Sequence, residues 1–131
     1  MILVDSSVWI DLLKNRDTPQ VARLTARFGS ERFGVGDLML VEVLQGLPSE
    51  RAFADARRLF ATLPTVRISD ERIAVDAARN YRLLRAKGVT IRKTIDTLIA
   101  TRCIAEDMPL LFSDRDFRPF VEHCGLRDAM G

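Results

Sequence analysis

The sequence predicts an α/β fold in which a short, mostly parallel sheet is wrapped by helices. Brief apolar runs such as Met1–Val4 and Leu110–Phe112 are too short for helices and lack alternation, as strands buried on both faces do. Longer segments between them carry apolar residues at helical spacing. The two kinds alternate along the chain, the order expected of a parallel sheet built through helical crossovers.

Each element has a local reason. Met1 to Asp5 reads as a buried strand, and Asp5-Ser6-Ser7 offers capping oxygens for a helix through Val8, Trp9, Ile10, Leu12 and Leu13. Thr18 and Pro19 are suited to N-cap and first turn of a helix carrying Val21, Leu24 and Phe28. Phe33-Gly34-Val35-Gly36 is a second short strand, and Asp37 is expected to cap a helix holding Leu38, Val41 and Leu44, stopped by Gly46-Leu47-Pro48. Ser49 opens a helix with Ala52, Phe53, Ala56, Leu59, Phe60 and Leu63 on one stripe. Pro64 to Ile68 reads as a third strand, and Ser69-Asp70 caps a long helix with Ile73, Ala77, Tyr81 and Leu84 inward. Thr94 is expected to cap the next helix, from Ile95 to about Asp107, which Met108-Pro109 breaks before a fourth strand at Leu110-Leu111-Phe112. From Asp116 onward one helical turn and little else is expected.

With 131 residues and 47% hydrophobic residues, the chain is expected to form one domain over residues 1–131 with a core that needs no disulfide or structural zinc. No apolar run approaches the roughly 20 residues that cross a bilayer, and Met1-Ile-Leu-Val-Asp lacks a basic leader, so a cytoplasmic protein without membrane contact is expected. Cys103 and Cys124 have no metal-ligand spacing, and Cys103 reads as a buried thiol. The lone histidine, His123, argues against serine- or cysteine-histidine catalysis. A net charge of +2 says little about partners. Arginine outnumbers lysine among the 20 basic residues, which suits phosphate contacts but also follows from codon bias.

The acids are more informative. Asp5 closes an apolar run, Glu42 is embedded in Leu38–Leu44, Asp96 lies in Thr94–Ala100, and Asp114 follows Pro109–Ser113. A lone carboxylate taken out of water costs several kcal/mol, so each needs a compensating partner. Arg115 is the only basic neighbour in sequence. Asp5 and Asp114 follow strands, and Glu42 and Asp96 sit early in helices, so the four can converge on one rim of the sheet, where ligands of open α/β sheets bind. Clustered carboxylates repel one another unless a cation balances them, and oxygen donors of this kind select Mg²⁺ or Mn²⁺. Ser6, Ser7, Thr94 and Thr97 add hydroxyls nearby. Taken singly, each acid also has a structural reading: Asp5 and Asp114 as caps, Glu42 as a solvated helix residue, Asp96 as a helix N-terminal charge.

Val4-Asp5-Ser6-Ser7-Val8-Trp9-Ile10, a glutamate before a Leu-Gln-Gly helix end, Ile95-Asp96-Thr97-Leu98-Ile99-Ala100 and Phe112-Ser113-Asp114-Arg115-Asp116-Phe117 occur in that order. This ordered set resembles a PIN domain, specifically the VapC-type toxins of toxin–antitoxin pairs, over nearly the whole chain. The resemblance implies a three-layer α/β/α sandwich and a Mg²⁺- or Mn²⁺-dependent endoribonuclease. Its substrate would be structured RNA such as tRNA, hydrolysed by metal-activated water to a 3′-hydroxyl and a 5′-phosphate. It maps the four motif acids onto Asp5, Glu42, Asp96 and Asp114, with Asp116 as a further metal-site member and Ser7 and Thr94 as supporting residues. A cognate VapB-type antitoxin and a homodimer are implied as partners.

Arg92, Lys93, Arg115 and Arg118 flank the acidic motifs and are candidates for gripping an RNA backbone, whereas Arg72, Arg79, Arg82 and Arg85 read as the outer face of an ordinary helix. Trp9, Phe53, Phe60 and Tyr81 read as core, or as dimer or antitoxin surface. The alternative function is a catalytically silent RNA-binding or assembly module on the same fold. An aspartyl phosphatase would need Asp-x-Asp at the first strand, and a response regulator a lysine after a late strand; the chain has neither arrangement.

Overall fold

Strand β1 (Ile2–Val4) lies inside a four-stranded, wholly parallel sheet of order β3-β2-β1-β4. The computed structural model describes residues 1–131. After β1 the chain forms α1 (Ser6–Leu13) and α2 (Pro19–Arg27), returns as β2 (Phe33–Gly36), and continues through α3 (Asp37–Leu44) and α4 (Glu50–Ala61) to β3 (Thr65–Val66). It then passes through α5 (Glu71–Ala86) and α6 (Thr94–Ala105) to β4 (Leu110–Leu111), a 3-10 turn (Arg115–Phe117) and α7 (Arg118–His123). Leu3 pairs with both Gly34 and Leu110, so β1 is hydrogen-bonded on both edges. No helix is long and apolar enough to cross a membrane.

Topology places the helices on two faces. The first two crossovers step the sheet in one direction and the third carries the chain back across it. Right-handed connections therefore send α5 and α6 to the face opposite α1–α4. Accordingly α1 contacts α2 and α3, α3 contacts α4, and α5 packs along α6. The core between these layers is one cluster of 23 buried residues, with Leu3, Val4, Trp9, Ile99 and Leu110 at its centre. Trp9 meets Phe60 edge-on at 5.2 Å, which assigns both rings to packing; Phe53 is 38% exposed and Tyr81 half-buried.

Several local expectations hold because their chemistry is local. Thr18, Ser49 and Asp70 each accept a hydrogen bond from the backbone N–H three residues on, at 3.0, 3.1 and 2.9 Å. Others give way to long-range partners. Gly36, not Asp37, is the N-cap of α3, because Asp37 Oδ1 accepts from the Ile68 amide (3.0 Å) as well as from Leu38 (2.8 Å). Asp37 thus ties the start of α3 to the exit of β3. Lys93 is the N-cap of α6, and Thr94 is its exposed first residue with no capping bond. The third and fourth strands pair over only two residues each, shorter than their apolar runs.

The C-terminal segment holds more than one turn. Phe117 and Phe120 are fully buried and Leu126 nearly so. The Leu110 amide donates to Arg127 O and the Ala129 amide to Leu110 O, which covers the outer edge of β4. Nothing in the local pattern of this segment signals that it returns to the sheet.

Candidate functional site

The strand order reverses at β1. Connections leave it toward β2 on one side, and β4 arrives on the other, so the carboxyl ends of β1 and β4 border the crevice where open α/β sheets bind ligands. Asp5 is the residue after β1 and Asp114 lies three beyond β4. Glu42 reaches the crevice from the second turn of α3, later in that helix than its sequence context suggests, and Asp96 from the first turn of α6.

Asp5 and Asp96 are each only 4% exposed, whereas Glu42, Asp114 and Asp116 are half-buried. Asp5 is also the N-cap of α1. Its Oδ2 accepts from the Ser7 amide at 3.2 Å and the Ser7 hydroxyl at 2.6 Å, so capping and site membership coexist in one side chain. Ser113 donates to Ser7 Oγ at 3.2 Å, extending this chain of hydroxyls to the surface. Ser6 Oγ donates to Glu42 Oε1 at 3.2 Å. Asp114 caps the 3-10 turn through the Asp116 amide at 2.9 Å. One carboxylate oxygen each from Asp96, Asp114 and Asp116 lies within 4.8 Å of the others.

Burial pushes the Asp5 carboxyl from its ordinary 3.8 up to about 6, against the lowering effect of the Ser7 hydrogen bonds and with the Glu42 charge adding to the rise. Asp96 is pushed up to about 7, first by burial and then by the Asp5 charge, with Asp114 and Glu42 adding repulsion; Lys93 pulls the other way. These couplings place four carboxylates in one electrostatic neighbourhood. Asp96 Oδ2 is buried and has no hydrogen-bond partner at all. A buried acceptor of formal charge without a donor is among the costliest things a fold can contain. The donor set is all oxygen, anionic, and short of positive charge, which fits a hard divalent cation and not zinc. Asp96, Asp114 and Asp116 bring their oxygens close enough to share one ion, while Asp5 and Glu42 border that group as neighbouring charges.

The supporting and basic residues are distributed less simply. Thr94 faces a groove of about 470 Å³ between α5 and α6, lined also by Ser69, Ala77, Tyr81 and Leu98, and makes no hydrogen bond to an acid. Thr97 Oγ1 is buried without a partner beside it. Arg92 is bound to Asp116 (Nη2 to Oδ2 3.2 Å, Oδ1 3.3 Å) while its side chain stays 79% exposed. Lys93 and Arg115 are exposed at the rim. Arg118, a candidate for the RNA backbone, donates to Asp128 at 2.7 Å and covers the Phe112 ring at 5.1 Å, holding the C-terminal segment to the sheet. Arg72, Arg79, Arg82 and Arg85 lie on the exposed side of α5. Cys103 is a buried free thiol whose pKa burial raises strongly, and His123 sits on α7 beside Glu122; neither belongs to the site. Ser113 is the site neighbour that sequence reasoning missed. Its only sequence signal was a hydroxyl directly before Asp114.

The sequence profile described as PIN domain matches residues 2–121. Ribonuclease VapC11 of Mycobacterium tuberculosis is 27% identical over 134 residues, spanning 98% of both chains. Among solved structures, VapBC-1 from nontypeable Haemophilus influenzae superimposes with a TM-score of 0.75 at 19% identity, covering 100% of each chain. VapBC2 from Rickettsia felis, bound to a DNA fragment from its promoter, gives a TM-score of 0.74 at 18% identity, covering 97% of this chain and 96% of that one. At such identities the structural likeness speaks to the fold.

Proposed function

This chain belongs to the PIN-domain family, and from that premise we propose that it is a Mg²⁺- or Mn²⁺-dependent endoribonuclease, the toxin half of a VapBC-type toxin–antitoxin pair. The observation that carries the reading is the buried, unpartnered Asp96 oxygen among the Asp5, Glu42 and Asp114 charges. A nuclease centre for phosphodiesters needs an anionic pocket of this kind; a packing site does not. The similar proteins named ribonuclease VapC point to RNA as substrate, with tRNA or other structured RNA the class we favour. The whole of residues 1–131 is read as one PIN domain.

A bound Mg²⁺ or Mn²⁺ supplies Lewis acidity to a scissile phosphate and to an attacking water. Everything else is done by this chain. Asp5, Asp96 and Asp114 would hold the cation and Asp116 would extend the set. Ser7 fixes the rotamer of Asp5 through its 2.6 Å hydrogen bond, and Ser6 orients Glu42 toward the crevice, where it completes the set or positions the water. Lys93, Arg115 and Arg92 stand at the rim where backbone phosphates pass. Arg118 pairs with Asp128, as Arg92 does with Asp116, and with its side chain 48% exposed it stays among the candidates for the RNA backbone. No histidine serves as general base.

The solved relatives are VapBC complexes, which supports a VapB-type antitoxin as partner. Val41 and Phe53, exposed on the contacting helices α3 and α4, are apolar surface available for it. A homodimer accords with the same family. The test of activity is incubation of the purified chain with total RNA in Mn²⁺, then with chelator. Cleavage is expected only with the metal, and Asp5→Asn or Asp96→Asn is expected to fold and not cut. Parental cleavage rates in either variant would remove these residues from the centre.

A further inference from the structure

The acidic centre carries its own cation. Among the basic side chains around the rim, Arg92 pairs with a member of the three-carboxylate group, Asp116, through Nη2 at 3.2 Å and 3.3 Å. Residues 87–93 join α5 to α6 without helix or strand, but Ile91 is buried in the core cluster and pins this connection beside the site. Arg92, the next residue, therefore has a fixed root and a side chain that is 79% exposed. The Asp116 backbone is anchored as well, its amide held by Asp114 Oδ1 at 2.9 Å. Asp96, a member of the same group, also carries a buried Oδ2 with no donor, so the pocket retains an unmet demand for positive charge even with Arg92 in place.

We propose that Arg92 is the resident counter-ion of the centre: it occupies Asp116 while no divalent cation is bound, competes with the cation for that carboxylate, and is released toward the RNA backbone when the cation takes over. The inference rests on the cation-binding reading above. An exposed guanidinium pair is weak and easily exchanged, unlike a buried one. A divalent ion ligated by the buried Asp96 displaces it readily, and the freed guanidinium then presents its planar donor fork to a phosphate. Cation and RNA backbone would thereby bind with positive coupling through one side chain, and the coupling is reciprocal.

The test is a Mn²⁺ titration followed by electron paramagnetic resonance of free Mn²⁺, on the parent chain, Arg92→Gln, Asp116→Asn and the double variant. Circular dichroism establishes that each is folded. In about 50 mM KCl, Arg92→Gln is expected to bind Mn²⁺ about three- to tenfold more tightly than the parent, and the gain to shrink in about 1 M KCl. In the Asp116→Asn background the same substitution is expected to change the Kd by less than about twofold, since the competitor has lost its carboxylate. Parental or weaker affinity in Arg92→Gln overturns the proposal, as does an undiminished gain without Asp116, which would mark a general charge effect. A parent chain that binds no Mn²⁺ overturns the cation-centre reading itself, and the proposal with it.

Discussion

Replacing Asp96 by asparagine is expected to stabilise the metal-free protein while destroying its centre. In the folded chain the Asp96 carboxyl is pushed from 3.8 to about 7. Ionising it in the fold therefore costs about 4 kcal/mol more than in the unfolded chain. The direction with pH follows from proton binding. Between pH 4 and 7 the folded state holds the proton more tightly than the unfolded one, so the contribution of Asp96 is most favourable below about pH 4 and is lost as pH rises through about 7. Asparagine has the shape of the protonated acid and never pays this cost. Part of the cost is repulsion from Asp5, Glu42 and Asp114, and small shifts of those side chains relieve some of it. A net gain of about 2–4 kcal/mol at pH 8 is expected, falling toward zero near pH 4.

The assay is urea or thermal denaturation of both proteins in chelator at pH 4 to 8, where each kcal/mol moves the midpoint of a chain this size by roughly 3–6 °C. Manganese should reverse the order. At a free concentration about 100 times its Kd, a cation adds about 2.7 kcal/mol to the parent; the variant, lacking the deepest ligand, gains little. An Asp96→Asn protein less stable than the parent at pH 8 in chelator would refute the reasoning. A gain of the same size at pH 4 and pH 8 would do so equally, because titration could not then be its source.

Three further substitutions probe the surroundings. Ser7→Ala removes the 2.6 Å donor to Asp5 and pushes that carboxyl further up; Mn²⁺ affinity is expected to fall about 10- to 100-fold and to recover in Ser7→Thr, as read by metal titration. Arg102→Ala strips the buried guanidinium that donates to Ile68 O (3.0 Å), Asp70 (2.7 Å) and Glu106 (2.9 Å); a loss of about 2–4 kcal/mol is expected by urea denaturation, and Arg102→Lys should recover little, lacking the planar fork. Gly36→Ala places a Cβ 2.8 Å from Ile68 Cδ1 and closer still to Met39 Sδ, both in the fully buried core. Overpacking there is expected to cost about 1–3 kcal/mol, and an unchanged denaturation midpoint would show the core has room.

What the sequence made legible is what short-range chemistry decides. Thr18, Ser49 and Asp70 cap helices because their oxygens reach the amide three residues on without help from the rest of the fold. The acids were conspicuous because they interrupt apolar runs, and their convergence at the β1–β4 crevice follows from strand order. Asp37 misled because the competing partner, the Ile68 amide, is 31 residues away. Thr94 misled because Lys93 adopts the capping backbone conformation and the threonine turns toward α5. The Arg118–Asp128 pair was equally hidden, since Asp128 lies in a segment with no periodic signal. The Arg92–Asp116 pair and the Ser113–Ser7–Asp5 hydroxyl chain join residues 24 and 106 apart, and no local pattern announces such contacts.

The gradient of burial across the centre has a mechanical origin. β1 is paired on both edges, so its carboxyl end lies deep in the rim, and Asp5, the next residue, is only 4% exposed. Asp96 is brought to the same depth because α6 packs along α5 over the face of the sheet and buries every residue from Asp96 to Cys103 except Leu98, which is partly buried. The outer acids ride on a 3-10 turn and on a two-turn helix, which leave them half in solvent. Deep ligands gain affinity for a cation from the low dielectric, and they are the ones that destabilise the fold without it. The outer ligands contribute charge at small cost and stay free to exchange partners, as Asp116 does with Arg92. Reversing the two roles would fail in both directions: a solvated Asp96 would bind a cation weakly, and a buried Arg92–Asp116 pair would not let go.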